Sequence, residues 1–160
     1  MVKNMEQIKC KGSACEKNCC LAFNGISDRI KPFDSEIRFS DIILFEQDYN
    51  NIINHGYQEF IDKSINGLSR IKTSSDGVCS AFVDGKCRIY ECRPLVCKAY
   101  PFYIDMFAGL CTIKDCCVAP SDYDVDKYSD DINAAISVYK SWIELYEKQL
   151  KKATNPSYNS

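Results

Sequence analysis

Eleven cysteines in a chain of 160 residues constrain the fold more than any other feature of this sequence. The number is odd, so these cysteines cannot all pair as disulfides within one chain. They fall into three groups: Cys10, Cys15, Cys19 and Cys20; Cys79, Cys87, Cys92 and Cys97; Cys111, Cys116 and Cys117. Clusters of this kind are typical of thiolate metal sites in reducing compartments, where disulfides are rare. The sequence therefore predicts a domain whose cysteines bind metal.

Length and composition place limits on the class of protein. A chain of this length supports one domain, and an apolar fraction of 46% is ordinary for a globular protein. The net charge of −2 argues against a nucleic-acid partner. No stretch of about 18 apolar residues and no apolar signal segment is present, which argues against a membrane partner. We expect a cytoplasmic protein with one domain over residues 1–153 and a frayed tail over residues 154–160.

Hydrophobic spacing and turn residues predict short strands, short helices and one long helix. Asp84-Gly85 predicts a tight hairpin turn, and apolar residues at three- and four-residue spacing predict the long C-terminal helix. The predicted elements are strands over 36–39, 41–44 and 69–73, helices over 46–54, 57–66 and 126–152, and a hairpin that pairs 78–81 with 86–90. We therefore expect a small α+β domain, irregular around the metal and closed by the C-terminal helix, with a mainly α fold as the alternative.

The number of thiols is sufficient for two four-cysteine sites. Zn²⁺ takes four thiolates in a tetrahedron, and iron–sulfur clusters are also held by four cysteines. Because adjacent side chains tend to point apart, Cys19 and Cys20 are expected to serve different metals, unless one of the two packs instead. The same argument applies to Cys116 and Cys117, and it favours sites that share ligands between the first and middle groups. The predicted ligands are Cys10, Cys15, Cys19, Cys20, Cys79, Cys87, Cys97, Cys116 and Cys117, with one ligand expected from the last two.

Some neighbouring residues have two interpretations. Eight lysines and arginines lie within two residues of a cysteine. Such cations stabilise thiolates, although the same residues are equally well explained as surface charges. His55, the only histidine, stands before Gly56 at the predicted end of a helix. A helix-capping role is therefore favoured over a role as a catalytic base.

Two segments carry a family resemblance. The middle segment, C-RIYE-C-RPLV-CK-AYPF, resembles the zinc- or iron-chelating cysteine-cluster family. The N-terminal segment, C-KGSA-C-EKN-CC-LAF, is similar to the flagellin lysine-N-methylase branch of that group, with Phe23 where the branch has tryptophan. Lys98 stands where the family usually has arginine. The likeness covers roughly residues 8–118 and, for the methylases, is confined to their cysteine-rich part.

The resemblance implies a cofactor and an activity. The cofactor is an iron–sulfur cluster, with zinc as the alternative. The activity is methylation of lysine on a protein such as flagellin, with S-adenosylmethionine as methyl donor. A methylase must hold a neutral amine in line with the methyl group, which calls for a tyrosine or carboxylate, and the candidates are Tyr90, Glu91, Tyr100 and Tyr103. The alternative is a non-catalytic zinc- or iron-binding module that carries metal or mediates an interaction.

Overall fold

Short strands and helices surround the cysteine-rich middle of the chain in the computed structural model, and one long helix packs beside them. The structure describes Cys20 and residues 42–63, 68–112 and 124–154. The elements are β1 Ile43–Leu44, α1 Glu46–Asn54, β2 Ile61–Lys63, β3 Ser69–Ile71, β4 Phe82–Val83, β5 Lys86–Cys87, α2 Leu95–Ala99, β6 Phe102–Asp105, β7 Gly109–Thr112 and α3 Ser129–Thr154. The α+β class is confirmed, and the strand predicted over 36–39 lies outside the described residues.

The first helix has the predicted bounds, residues 46–54. His55 follows as the C-cap, and its Nδ1 donates a hydrogen bond to the Asn51 carbonyl at 2.8 Å. Gly56 then adopts a φ of +79°, a backbone conformation that glycine reaches without a steric penalty. The predicted capping role of His55 is therefore confirmed.

A three-stranded antiparallel sheet has the order β1-β3-β2. Ile43 pairs with Arg70, and Ile61 pairs with Ile71. The helix predicted over 57–66 was wrong, because only a 3₁₀ turn forms at Gln58–Phe60 before the chain extends into β2. Pairing with β3 satisfies the backbone groups of β2, and this tertiary contact outweighs the local preference for helix.

The predicted hairpin forms around Asp84-Gly85, but with shorter arms. Both turn residues have positive φ, +52° and +73°, as a two-residue type I′ turn requires. Strand β4 then pairs with β5, which places Cys87 opposite Phe82. Cys79 was expected on the other arm, and this was wrong, since Cys79 instead pairs with Thr73 in an isolated bridge. The chain turns toward β3 there because the Ser80 amide donates to the Lys72 carbonyl at 2.9 Å.

The C-terminal helix α3 begins three residues later than predicted. The carboxylate of Asp124 accepts the amides of Asp126 and Lys127, at 3.1 and 3.2 Å, and so forms a turn before the helix. On the helix, Ile132 is buried, whereas Leu150 near the end is exposed. None of the described helices is long and apolar enough to cross a membrane.

Most of the buried apolar residues in the described part of the chain fall into two clusters. The first, called here the pocket-side core, contains Cys20, Leu44, Ile52, Ile71, Cys79, Ala81, Ile89 and Cys92. The second, the helix-side core, contains Ala99, Phe102, Tyr128, Ile132, Ala134 and Ala135. Three of the eight members of the pocket-side core are cysteines, while the six of the helix-side core include none. The buried cysteines of the described chain therefore all lie in the pocket-side core.

Candidate metal centre

Four of the predicted ligands line one cavity, called here the cysteine pocket. They are Cys20, Cys79, Cys87 and Cys97, and the remaining lining residues are Ile42, Ile71, Ile89, Tyr90, Arg93 and Pro94. The cavity measures about 40 Å³, whereas sites for small organic ligands occupy roughly 300–1,000 Å³. The pocket is therefore closer in size to an ion than to an organic substrate.

The four cysteines reach the pocket from separate parts of the chain. Cys20 and Cys79 lie side by side because the Cys79 amide donates to the Cys20 carbonyl at 2.9 Å. Cys87 ends β5, and Cys97 lies in the middle of α2. The structure therefore brings a cysteine of the N-terminal group, Cys20, into contact with the middle group. Both Cys20 and Cys79 are buried.

The sulfur of Cys79 accepts several hydrogen bonds. The Cys20 thiol is the strongest influence and lowers the pKa of Cys79, burial opposes it, and the amides of Ala81 and Phe82 lower it further. The net effect brings the pKa of the Cys79 thiol from 9.0 to about 7. Because the thiolate is the form of cysteine that binds metal, this environment favours the metal-binding form of the Cys79 thiol near neutral pH.

The lowered pKa of Cys79 predicts how stability depends on pH. A group whose pKa is lower in the folded chain stabilises the fold above its unfolded pKa of 9.0, and this contribution is lost as pH falls through about 7. For the metal-free thiol, this loss of stability amounts to about 3 kcal/mol. Bound metal also requires the thiolate, so it adds to the pH dependence in the same direction. Urea denaturation of the protein as purified, at pH 9 and below pH 7, measures it. We expect Cys111→Ala to match the wild type and Cys79→Ala to show a shallower pH dependence. Equal dependence in wild type and Cys79→Ala would contradict the prediction.

Arg93 supplies a positive charge and a buried hydrogen-bond donor at the pocket. Its guanidinium carbon lies 4.1 Å from the centroid of the Tyr90 ring. Its Nε is buried and has no hydrogen-bond partner among the described residues. A buried donor of this kind normally finds an acceptor, and a thiolate that carries negative charge would provide one. The donor set, soft sulfur beside a cation, therefore fits a zinc or iron site.

The described residues do not by themselves form a complete metal site. No three Cys, His, Asp or Glu side chains within residues 42–63, 68–112 and 124–154, with Cys20, are placed closely enough to hold an ion. The predicted ligands Cys10, Cys15, Cys19, Cys116 and Cys117 lie outside the described residues. The structure thus shows a hydrogen-bonded thiol pair with two further cysteines around one pocket, and the complete ligand set stays a prediction.

Two cysteines that the sequence left unassigned lie elsewhere. Cys92 is completely buried in the pocket-side core, where burial raises the pKa of its thiol. Cys111 lies on β7, and its thiol donates to the Gly109 carbonyl at 3.6 Å. Neither side chain lines the cysteine pocket.

The four candidate catalytic residues do not all face the pocket. Tyr90 lines it, next to Arg93. Glu91 is exposed, Tyr100 is half-buried, and Tyr103 is 46% exposed on β6. Tyr90 is therefore the one member of the set that lines the cysteine pocket.

Sequence reasoning missed Asp48. This residue is 4% exposed, and its carboxylate accepts the Leu95 amide at 2.9 Å, across 47 positions of the chain. Burial raises its pKa, against the lowering effect of the Leu95 and Phe45 amides and of the Lys98 charge. The sequence did contain one indication that Asp48 is buried. It lies four positions before Ile52, which is also buried, and residues at that spacing share a helix face.

The comparisons with known proteins give one match. Neither the search of the curated proteins nor the search of the solved structures found a match. The family model CxxCxxCC, described as a putative zinc- or iron-chelating domain, matches residues 9–118. That span is more than half of the chain and includes all eleven cysteines. The chain therefore belongs to this family of zinc- or iron-chelating domains.

Proposed function

We propose that this protein binds zinc or iron through thiolates at the cysteine pocket, as a non-catalytic module whose metal holds the pocket-side core together. The observation that carries the proposal is the hydrogen-bonded thiol pair of Cys20 and Cys79, which lie 59 positions apart in the chain. Cys87 and Cys97 line the same cavity and are the further ligands we propose. No three of the described ligand side chains are close enough to hold an ion, so in this proposal metal binding draws the sulfurs together. When bound, the metal would crosslink segments whose strands are only two or three residues long.

Metal content tests this proposal directly. All-thiolate ligation suits both zinc and iron–sulfur clusters, so the identity of the metal is decided by measurement. We expect protein purified without oxygen from metal-replete cells to contain at least one zinc or iron per chain, by elemental analysis. A brown protein with acid-labile sulfide indicates an iron–sulfur cluster, and a colourless one indicates zinc. Protein that contains neither metal under these conditions would contradict the proposal.

A second proposal follows from the likeness of the N-terminal cysteine motif to the flagellin lysine-N-methylases. In it, the metal domain supports transfer of a methyl group from S-adenosylmethionine to lysine on a protein such as flagellin. The observation that supports it is Tyr90, whose phenol lines the pocket. The size of the cavity favours the non-catalytic module, because about 40 Å³ is far below what such a donor needs. Anaerobic incubation with labelled methyl donor and cell extract decides, and the absence of labelled lysine would exclude methylation.

A further inference from the structure

One carboxylate joins the starts of two helices. Asp48 is the third residue of α1, and its Oδ2 accepts the amide of Phe45, the N-cap of the same helix, at 3.3 Å. Its Oδ1 accepts the amide of Leu95, the first residue of α2, at 2.9 Å. Asp48 as a residue is 4% exposed, and both of its hydrogen bonds are at least partly buried. A carboxylate in such a place is tolerated only when it is well hydrogen-bonded.

Helix α2 depends on partners outside itself. It has five residues, far fewer than the roughly 12–15 that an isolated helix needs for marginal stability in water. The first amides of a helix have no acceptor within it. Pro94, which precedes the helix, has no amide and offers no side-chain cap. The carboxylate of Asp48 therefore satisfies the first amide of α2 and attaches this short helix to α1.

The attached turn carries a predicted metal ligand. Cys97 is two residues beyond Leu95, and its amide donates to the Pro94 carbonyl at 2.9 Å. The Lys98 amide donates to the same carbonyl at 3.0 Å. The position of this turn therefore sets where the Cys97 sulfur lies relative to the pocket that it lines.

We propose that Asp48 is a positioning residue for the metal site, which fixes the first turn of α2 so that Cys97 faces the pocket. The inference rests on the proposed function and adds to it a residue outside the cysteine motifs. Partners that orient metal ligands typically contribute 10- to 100-fold to metal affinity. Asp48 contributes through the backbone that carries the ligand rather than through contact with the metal.

The test compares Asp48→Ala with a matched variant on the same helix. Glu46 is also acidic and in the first turn of α1, but it is exposed. Competition with a chromogenic chelator measures metal affinity. We expect Asp48→Ala to bind roughly 10- to 100-fold more weakly than wild type, and Glu46→Ala to stay within about twofold. Asp48→Asn keeps one acceptor oxygen and is expected to lie between wild type and Asp48→Ala.

A second readout separates positioning from general destabilisation. In the metal-loaded protein, alkylation followed by peptide mass spectrometry reports the protection of each cysteine. If Asp48 positions α2, Asp48→Ala exposes Cys97 to alkylation while Cys79 stays protected. If Asp48 only stabilises the fold, both cysteines lose protection together, and the inference is overturned.

A backbone variant covers the case in which Asp48→Ala does not fold. Leu95→Pro removes the donated amide at the first position of a helix, where proline is well tolerated. Pro94 already has φ −56° and ψ 156°, the conformation that a following proline favours. Leu95→Ala is the control for the lost side chain. We expect weaker metal binding by Leu95→Pro than by Leu95→Ala, and equal affinities would overturn the inference. A wild-type protein that binds no metal would overturn the proposed function itself.

Discussion

Removal of the metal is expected to unfold the pocket-side core while the helix-side core keeps most of its structure. Three of the eight residues of the first cluster are cysteines, and its strands are two or three residues long. Structural zinc contributes on the order of 10–16 kcal/mol in small domains. Because a whole domain is stable by only about 5–15 kcal/mol, the loss of such a contribution exceeds what the surrounding apolar contacts can offset.

Hydrogen exchange with and without a chelator measures this effect. We expect the amides of β3 and of residues 79–97 to lose protection when metal is removed, and to regain it when metal is returned. The first half of α3 packs Ile132 and Ala135 into the helix-side core, which contains no cysteine among the described residues. Exchange in that half should therefore change much less. A uniform change along the chain, or no change at all, would contradict the prediction.

The elements that the sequence predicted well are those with local signals at both ends. Helix α1 has acidic residues in its first turn and a glycine one residue past its C-cap, and its predicted bounds were confirmed. The Asp84-Gly85 turn was also confirmed, because two positive φ values require residues of this type. Strand β2 was missed, since nothing in residues 61–63 reveals that β3 will pair with them.

At the candidate site, too, the features visible in local sequence were predicted, and the contacts between distant residues outside the cysteine groups were not. The grouping of cysteines predicted that the first and middle groups share a site, and Cys20 does lie beside Cys79. Spacing alone gave no means to separate Cys92, which is buried in the core, from Cys97, which lines the pocket five residues later. Asp48 was missed for a similar reason, because its partner Leu95 is 47 positions away.

The two cysteines with contrasting environments, Cys79 and Cys92, give a matched pair of substitutions. Cys79→Ala removes a sulfur that accepts hydrogen bonds and lines the pocket, whereas Cys92→Ala removes one enclosed by apolar side chains. If four thiolates share the binding free energy of a structural metal, each accounts for roughly 3 kcal/mol, or about a hundredfold in affinity. We therefore expect Cys79→Ala to bind metal about a hundredfold more weakly than the wild type.

Cys92→Ala is expected to keep its metal affinity but to lose stability. It leaves the pocket intact, so its metal content and affinity should equal those of the wild type. The small cavity that it creates should lower the free energy of unfolding by about 1–2 kcal/mol. Chelator competition and urea denaturation on both variants distinguish the two roles. If Cys92→Ala loses metal while Cys79→Ala retains it, the ligand is Cys92, and the pocket described here is not the metal site.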